Sequence, residues 1–213
     1  MKLKRFIGIV LVCLSAILIL SGCGDKAEKK AGEKFVIELY PEYAPKTVEN
    51  FIKLVEDGFY DGLTFHRIVD NFMAQGGGYD PDGKKIEADS IDGEFALNGY
   101  TDNTLNHTKG IISMARADTT QYGDPIPGYN SASSEFFIML DDSQGPYLDG
   151  KYAAFGKVTE GMEVIDKLQE VERTLGFDNA ISAPVNPVII KKATVLEKGD
   201  HPRIEMELEP VKK

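Results

Sequence analysis

Seven apolar runs of strand length punctuate residues 34–197, each broken from the next by Gly, Pro, Asn or Asp: "KFVIELY", "LTFHRIV", "FMAQGG", "GIISMAR", "SEFFIML", "YAAFGKV" and "PVIIKKATVL". Their β-branched and aromatic content marks strands. Only two stretches carry a helical period. In one, Val48, Phe51, Ile52, Leu54 and Val55 recur behind Thr47 as a cap and stop near Gly58; in the other, 161–170, Met162, Ile165 and Leu168 share a face. A parallel sheet needs a crossover helix between successive strands, and that spacing is missing. The pattern predicts a mainly β chain, an antiparallel barrel of seven or eight short strands with two α-helices capping its ends.

The termini read differently. A basic start (Lys2, Lys4, Arg5) leads into an apolar run of about 15 residues, Phe6 to Leu20, the order of a secretory signal. That run is short for a membrane span, which needs roughly 20 residues. Leu20-Ser21-Gly22-Cys23 resembles a bacterial lipobox, so residues 1–22 are expected to be a lipoprotein signal peptide and Cys23 the lipid-bearing N-terminus. Residues 23–33 then form a polar, flexible tether, and the domain faces the outside of the cytoplasm, held to a membrane by lipid. Beyond Glu197, residues 198–213 read as a weakly ordered tail, although Ile204, Met206 and Leu208 alternate as an edge strand would.

Composition excludes several chemistries. Cys13 lies in the signal and Cys23 carries the lipid, so the remaining domain has no thiol for catalysis, redox work or metal binding. His66, His107 and His201 match no zinc spacing, and neither metal nor cofactor is expected. Loss of residues 1–22 removes three cations, taking the formal charge from −10 to −13 over the 191 residues left from 213. Such a chain is repelled by nucleic acid. Gly78 to Lys85, "GYDPDGKK", nearly fits a phosphate loop, but Lys85 stands where Ser or Thr is required, and Asp80 and Asp82 oppose an anion. The calcium ladder is also incomplete, so this segment is a solvated turn. No GxSxG elbow is present, and His66 is read as a structural hydrogen-bonding group.

Arg67 is the residue the remaining pattern leaves to explain. On a strand it shares a face with Phe65 and Val69 and opposes His66 and Ile68. Arginine offers five donors in a rigid fork and cannot act as a base. It suits donation of a hydrogen bond from a fixed place, or a salt bridge at a barrel rim.

"FHRI", "FMAQGG", "GIISMARA", "SEFFIML" and "YLDGKYAAFGKVTEGMEVI" occur in the order and approximate spacing of the cyclophilins, the peptidyl-prolyl cis-trans isomerases, and the chain resembles that family over residues 34–197. The resemblance implies a closed eight-stranded antiparallel barrel and an isomerase acting on proline-containing polypeptides; with the signal segment the expected clients are exported proteins, and a monomer is expected. It puts Arg67 on the catalytic arginine and Gln75 on a polar contact beside it. Phe72, Met73, Phe137 and Leu148 fall on the pocket for the proline ring. Ala115 and Arg116 fall on the segment whose backbone pairs with the peptide; Arg116 replaces the usual Asn, so only its backbone role carries over. Tyr147 and Tyr152 complete the rim, where many members have Trp and His, and strong cyclosporin binding is not expected. Glu135 replaces a common Gln, and the loop 118–133 is longer than in compact members and is expected to shape the groove. A lipid-anchored chaperone that binds peptides without catalysis is the competing reading.

Overall fold

The computed structural model describes residues 33–119 and 122–211; the signal, lipobox and most of the tether fall outside them. Among the described residues there are ten strands: β1 (Glu33–Leu39), β2 (Thr64–Val69), β3 (Met73–Gly76), β4 (Ile111–Met114), β5 (Phe136–Met139), β6 (Ala154–Glu160), β7 (Arg173–Leu175), β8 (Ile181–Pro184), β9 (Val188–Glu197) and β10 (Arg203–Leu208). Eight close into an antiparallel barrel in the order β1-β10-β9-β2-β3-β5-β4-β6, while β7 and β8 pair as a separate hairpin. The seven runs read from sequence are β1 to β6 and β9.

The eighth barrel strand corrects the reading of the C-terminal segment. Ile204, Met206 and Leu208 are fully buried, and β10 lies between β1 and β9 instead of at an edge. Without it those two strands would each expose a row of unpaired backbone groups. The domain therefore extends past residue 197 to at least Leu208.

The barrel interior is filled by side chains that alternate inward, including Phe35, Ile37, Phe65, Ile68, Phe136 and Phe155. One end is covered by α1 (Pro45–Glu56), whose Val48, Phe51, Leu54 and Val55 pack on this core. Thr47 is not its cap. Ala44 occupies that position with Pro45 just inside, and the exposed amides are satisfied from afar: the buried Glu94 carboxylate accepts from the N–H groups of Lys46 (3.0 Å) and Thr47 (2.8 Å) and from the Thr47 hydroxyl (2.7 Å). Two single-turn helices follow, α2 (Ile126–Tyr129) and α3 (Gly145–Leu148). The second expected helix is a short α4 (Met162–Asp166) that tightens into a 3-10 turn over Lys167–Glu170, burying Ile165 and Leu168.

Candidate active site

A second, smaller apolar cluster lies apart from the main barrel core. Met73, Ile111, Phe137, Met139, Leu148 and Ala154 are buried in it, with Val69, Phe72, Ala115 and Tyr152 packed at its edge. Strand register explains the assembly. Arg67 faces Gln75 across β2 and β3, Gln75 faces Phe137 across β3 and β5, and Phe137 faces Ser113 across β5 and β4. A single transverse row thus carries a cation, an amide and an aromatic ring.

Arg67 reaches that row through a bulge. Phe65 pairs with Gly76 and Arg67 with Gln75, so two residues of β2 oppose one of β3. The expected alternation fails there: Phe65 is fully buried in the barrel core, whereas His66 and Arg67 both remain partly accessible. Arg67 and Val69 do share a face, because regular pairing resumes after the bulge.

The row borders a cavity of about 350 Å³ lined by Arg67, Phe72, Met73, Gln75, Ala115, Arg116, Asp118, Phe137, Leu148, Tyr152, Phe177 and Asp178. Every residue expected at the site is there except Tyr147, which is 69% exposed. On the turn of α3, neighbouring side chains diverge by about 100°; Leu148 turns to the cavity and Tyr147 to solvent.

Three contacts hold Arg67. Its Nε donates to Asp178 Oδ2 at 2.6 Å, and its Nη1 approaches Gln75 Oε1 at 3.4 Å and Met73 Sδ at 3.5 Å. Gln75 Nε2 in turn donates to Glu135 Oε2 at 2.9 Å. Burial raises the Glu135 carboxyl, but His66, the Gln75 amide and Lys85 outweigh it and leave the group below its ordinary value. Room for this carboxylate comes from Gly78, where a Cβ would collide with Glu135 Cγ. The glycine run is therefore packing and turn chemistry, and Gly77 adopts φ +84°.

Asp178 was not anticipated from sequence. It sits in the turn of the β7–β8 hairpin, where its Oδ1 also accepts from Ser182 Oγ (2.7 Å) and the Ala180 N–H (3.1 Å). Burial pushes the Asp178 carboxyl up, and these donors with Arg67 pull it lower still in net. The hairpin is fixed at its base by Arg173, which donates from Nη1 (2.5 Å) and Nη2 (2.8 Å) to the two oxygens of Asp70. "GFDNA" holds the only available hint, an aromatic residue in an otherwise polar turn.

The opposite wall is set by Arg116. Its guanidinium lies 4.6 Å from the Tyr152 ring centroid, 5.1 Å from Tyr129 and 5.3 Å from Phe95, and its Nε donates to the Lys151 carbonyl at 3.0 Å. This side chain thus braces the rim, with Tyr129 of α2 supplied by the 118–133 loop and Asp118 reaching the cavity. The Ala115 N–H donates to the Glu135 carbonyl at 2.9 Å. Beneath Phe137, the buried His107 ring stacks at 6.0 Å and 15° and is held at 3.0 Å by both Asp149 and Ser113. Burial lowers the His107 imidazole, against the opposing pull of Asp149.

Residues 26–195 match the family model described as cyclophilin type peptidyl-prolyl cis-trans isomerase/CLD. The chain is 40% identical over 164 residues to the peptidyl-prolyl cis-trans isomerase ppi1 of Schizosaccharomyces pombe, covering 76% of this chain and 93% of that protein. It is 39% identical over 170 residues to the isomerase cyp18 of Streptomyces antibioticus, with the same two coverages. A longer relative, the isomerase-like 2 protein of Gibberella zeae, is 37% identical over 160 residues, and the chain spans 24% of its length. The crystal structure of a cyclophilin type isomerase from Cryptosporidium parvum superposes with a TM-score of 0.59 at 27% identity, covering 76% of this chain and 93% of that one. With barrel, family model and relatives in agreement, the chain belongs to the cyclophilin-type peptidyl-prolyl cis-trans isomerases.

Proposed function

We propose that Arg67 is the catalytic donor of this isomerase and that the adjoining apolar cavity seats the substrate proline. Peptide rotation faces a barrier of ~18–20 kcal/mol from partial double-bond character. In the twisted state the proline nitrogen becomes pyramidal and regains its lone pair. A cation donating to that nitrogen favours the twisted amide over either planar form, which is differential binding of the transition state. Phe72, Met73, Phe137 and Leu148 hold the ring while the preceding carbonyl turns. The Ala115 carbonyl and Arg116 backbone pair with the peptide, Gln75 orients the guanidinium, and Tyr152 closes the rim.

The observation that carries this reading is the guanidinium clamped by Asp178, Gln75 and Met73 at the edge of an apolar cavity. A salt bridge serving only the barrel rim would not require the cavity. A related Cryptosporidium parvum structure was determined in the presence of the dipeptide Ala-Pro, which supports a proline peptide as the ligand here. The motif Leu20-Ser21-Gly22-Cys23 supports a lipid anchor on Cys23 and exported polypeptides as clients; metabolic labelling with a palmitate analogue, compared with Cys23→Ala, tests the anchor. Turnover of a proline peptide by the wild-type chain beside Arg67→Ala tests the catalytic assignment.

A further inference from the structure

A second cavity of about 350 Å³ lies on the other side of the hairpin turn. Its lining includes His66, Tyr79, Asp80, Phe177 and Pro187, and Phe177 is common to it and the proline cavity. Phe177 is 68% exposed, an uncommon position for a large apolar ring. It is nonetheless fixed, because Asp178 beside it is tied to Arg67 and the hairpin base to Asp70. Its ring stacks with Tyr79 at 6.2 Å and 24°, and His66 lies 4.5 Å from Tyr79 and 6.0 Å from Phe177.

His66 adds a polar group to this apolar wall. Its side chain is only 9% exposed, and among the described residues neither ring nitrogen has a hydrogen-bond partner. Nε2 lies 3.4 Å from Glu135 Oε2, an ion-pair approach outside hydrogen-bond geometry. The structural role expected for His66 is thus met by its approach to Glu135 and not by a hydrogen bond of ordinary geometry. A buried polar atom left unpaired carries a cost that a backbone N–H or C=O of a bound peptide would relieve, while the apolar walls take its side chain. Preformed apolar walls with few polar groups are the usual make-up of a binding site.

We propose that this second cavity is a specificity subsite that takes a large apolar side chain, aromatic or aliphatic, from a residue flanking the substrate proline. The proposal rests on the proline cavity being the substrate site. Continuity through Phe177 places the two within reach of one extended peptide, in which each residue spans about 3.3–3.6 Å. At the rim, the Asp80 carboxylate is pinned by the N–H groups of Asp82 and Lys84, so an acidic side chain is disfavoured.

The test uses the full chain and a series of peptides with a constant Ala-Pro core. Phe, Leu, Gly or Glu is placed in turn at each of the three positions on either side. At one position, Phe and Leu are expected to raise kcat/KM about tenfold over Gly, equivalent to ~1.4 kcal/mol, and Glu to lower it. Pro187→Glu, at the far wall of the second cavity, should erase that preference and leave turnover of the Gly-flanked peptide unchanged. Tyr79→Leu should retain the preference for Leu and reduce that for Phe, a check independent of whether Pro187→Glu folds. A flat series, or a preference untouched by both variants, overturns the subsite. Absence of turnover on every peptide, Gly-flanked included, would instead overturn the proposed function.

Discussion

Asp178 is the residue whose removal separates a positioned arginine from one that is merely present. Its contact with Arg67 Nε is 2.6 Å long, with 22% and 17% of the two side chains exposed. A hydrogen bond to a charged group contributes about 1.5–3 kcal/mol, and partial exposure places this one near ~1.5 kcal/mol. The remaining contacts to Gln75 and Met73, at 3.4 and 3.5 Å, are too long to hold the guanidinium alone. In Asp178→Ala the productive rotamer of Arg67 therefore loses ~1.5 kcal/mol against its alternatives, and kcat falls about tenfold. An opposing effect exists, since removing a negative charge strengthens the field of Arg67. A full charge at ~7 Å and an effective dielectric of ~20 is worth ~2.4 kcal/mol. The amide nitrogen gains only a fraction of a charge on twisting, so orientation wins. KM should stay near its wild-type value, because Phe72, Phe137 and Leu148 are untouched. Asp178→Asn keeps an acceptor and should lose only about threefold in kcat, again by a partial loss of that ~1.5 kcal/mol. Ser182→Ala removes one hydrogen bond to Asp178 Oδ1 but leaves the Oδ2–Arg67 contact in place, and serves as the control. A proline-isomerisation assay on the four proteins reads the result. Wild-type kcat in Asp178→Ala, or an equal loss in Ser182→Ala, would refute the positioning argument.

Two further outcomes depend on buried polar groups. His107 is held neutral by burial, so its folded-state value lies below the ordinary 6.5. The unfolded chain then binds more protons than the folded one between the two values, and stability falls as pH drops below about 6.5. Thermal melts from pH 7.5 to 5 should show that slope, and His107→Gln should flatten it; an unchanged slope would remove the assignment. Glu94→Ala leaves the first amides of α1 and the Thr47 hydroxyl without an acceptor, at a cost of about 3 kcal/mol. In a domain of this size that lowers Tm by roughly 6–12 °C, measurable by calorimetry.

The barrel was legible because its strands carry their signal locally: alternating or continuous apolar runs ended by glycine and proline. β10 was under-read because Glu205 and Glu207 alternate with its apolar residues, and its burial depends on β1, about 170 residues away. The row Arg67, Gln75 and Phe137 was reached through resemblance, since cross-strand register leaves no mark on the chain. Arg67's orientation was misjudged because a bulge is invisible to a strict period of two. Asp178, Phe177 and the His66 cavity were missed for one reason: β7 is three residues long and lacks an apolar pattern, so the hairpin exists through Arg173, Asp70 and Arg67 rather than through propensity.

The central claim is that Arg67 stabilises the twisted amide, and the direct measurement is kcat/KM of Arg67→Ala on a proline peptide, with circular dichroism and peptide affinity recorded on the same sample. Loss of a single transition-state donor corresponds to a fall of about a hundredfold or more. That fall is expected with the fold intact and peptide binding retained through Phe72, Phe137 and Leu148. Turnover within about twofold of wild type, less than ~0.5 kcal/mol of barrier, would contradict it.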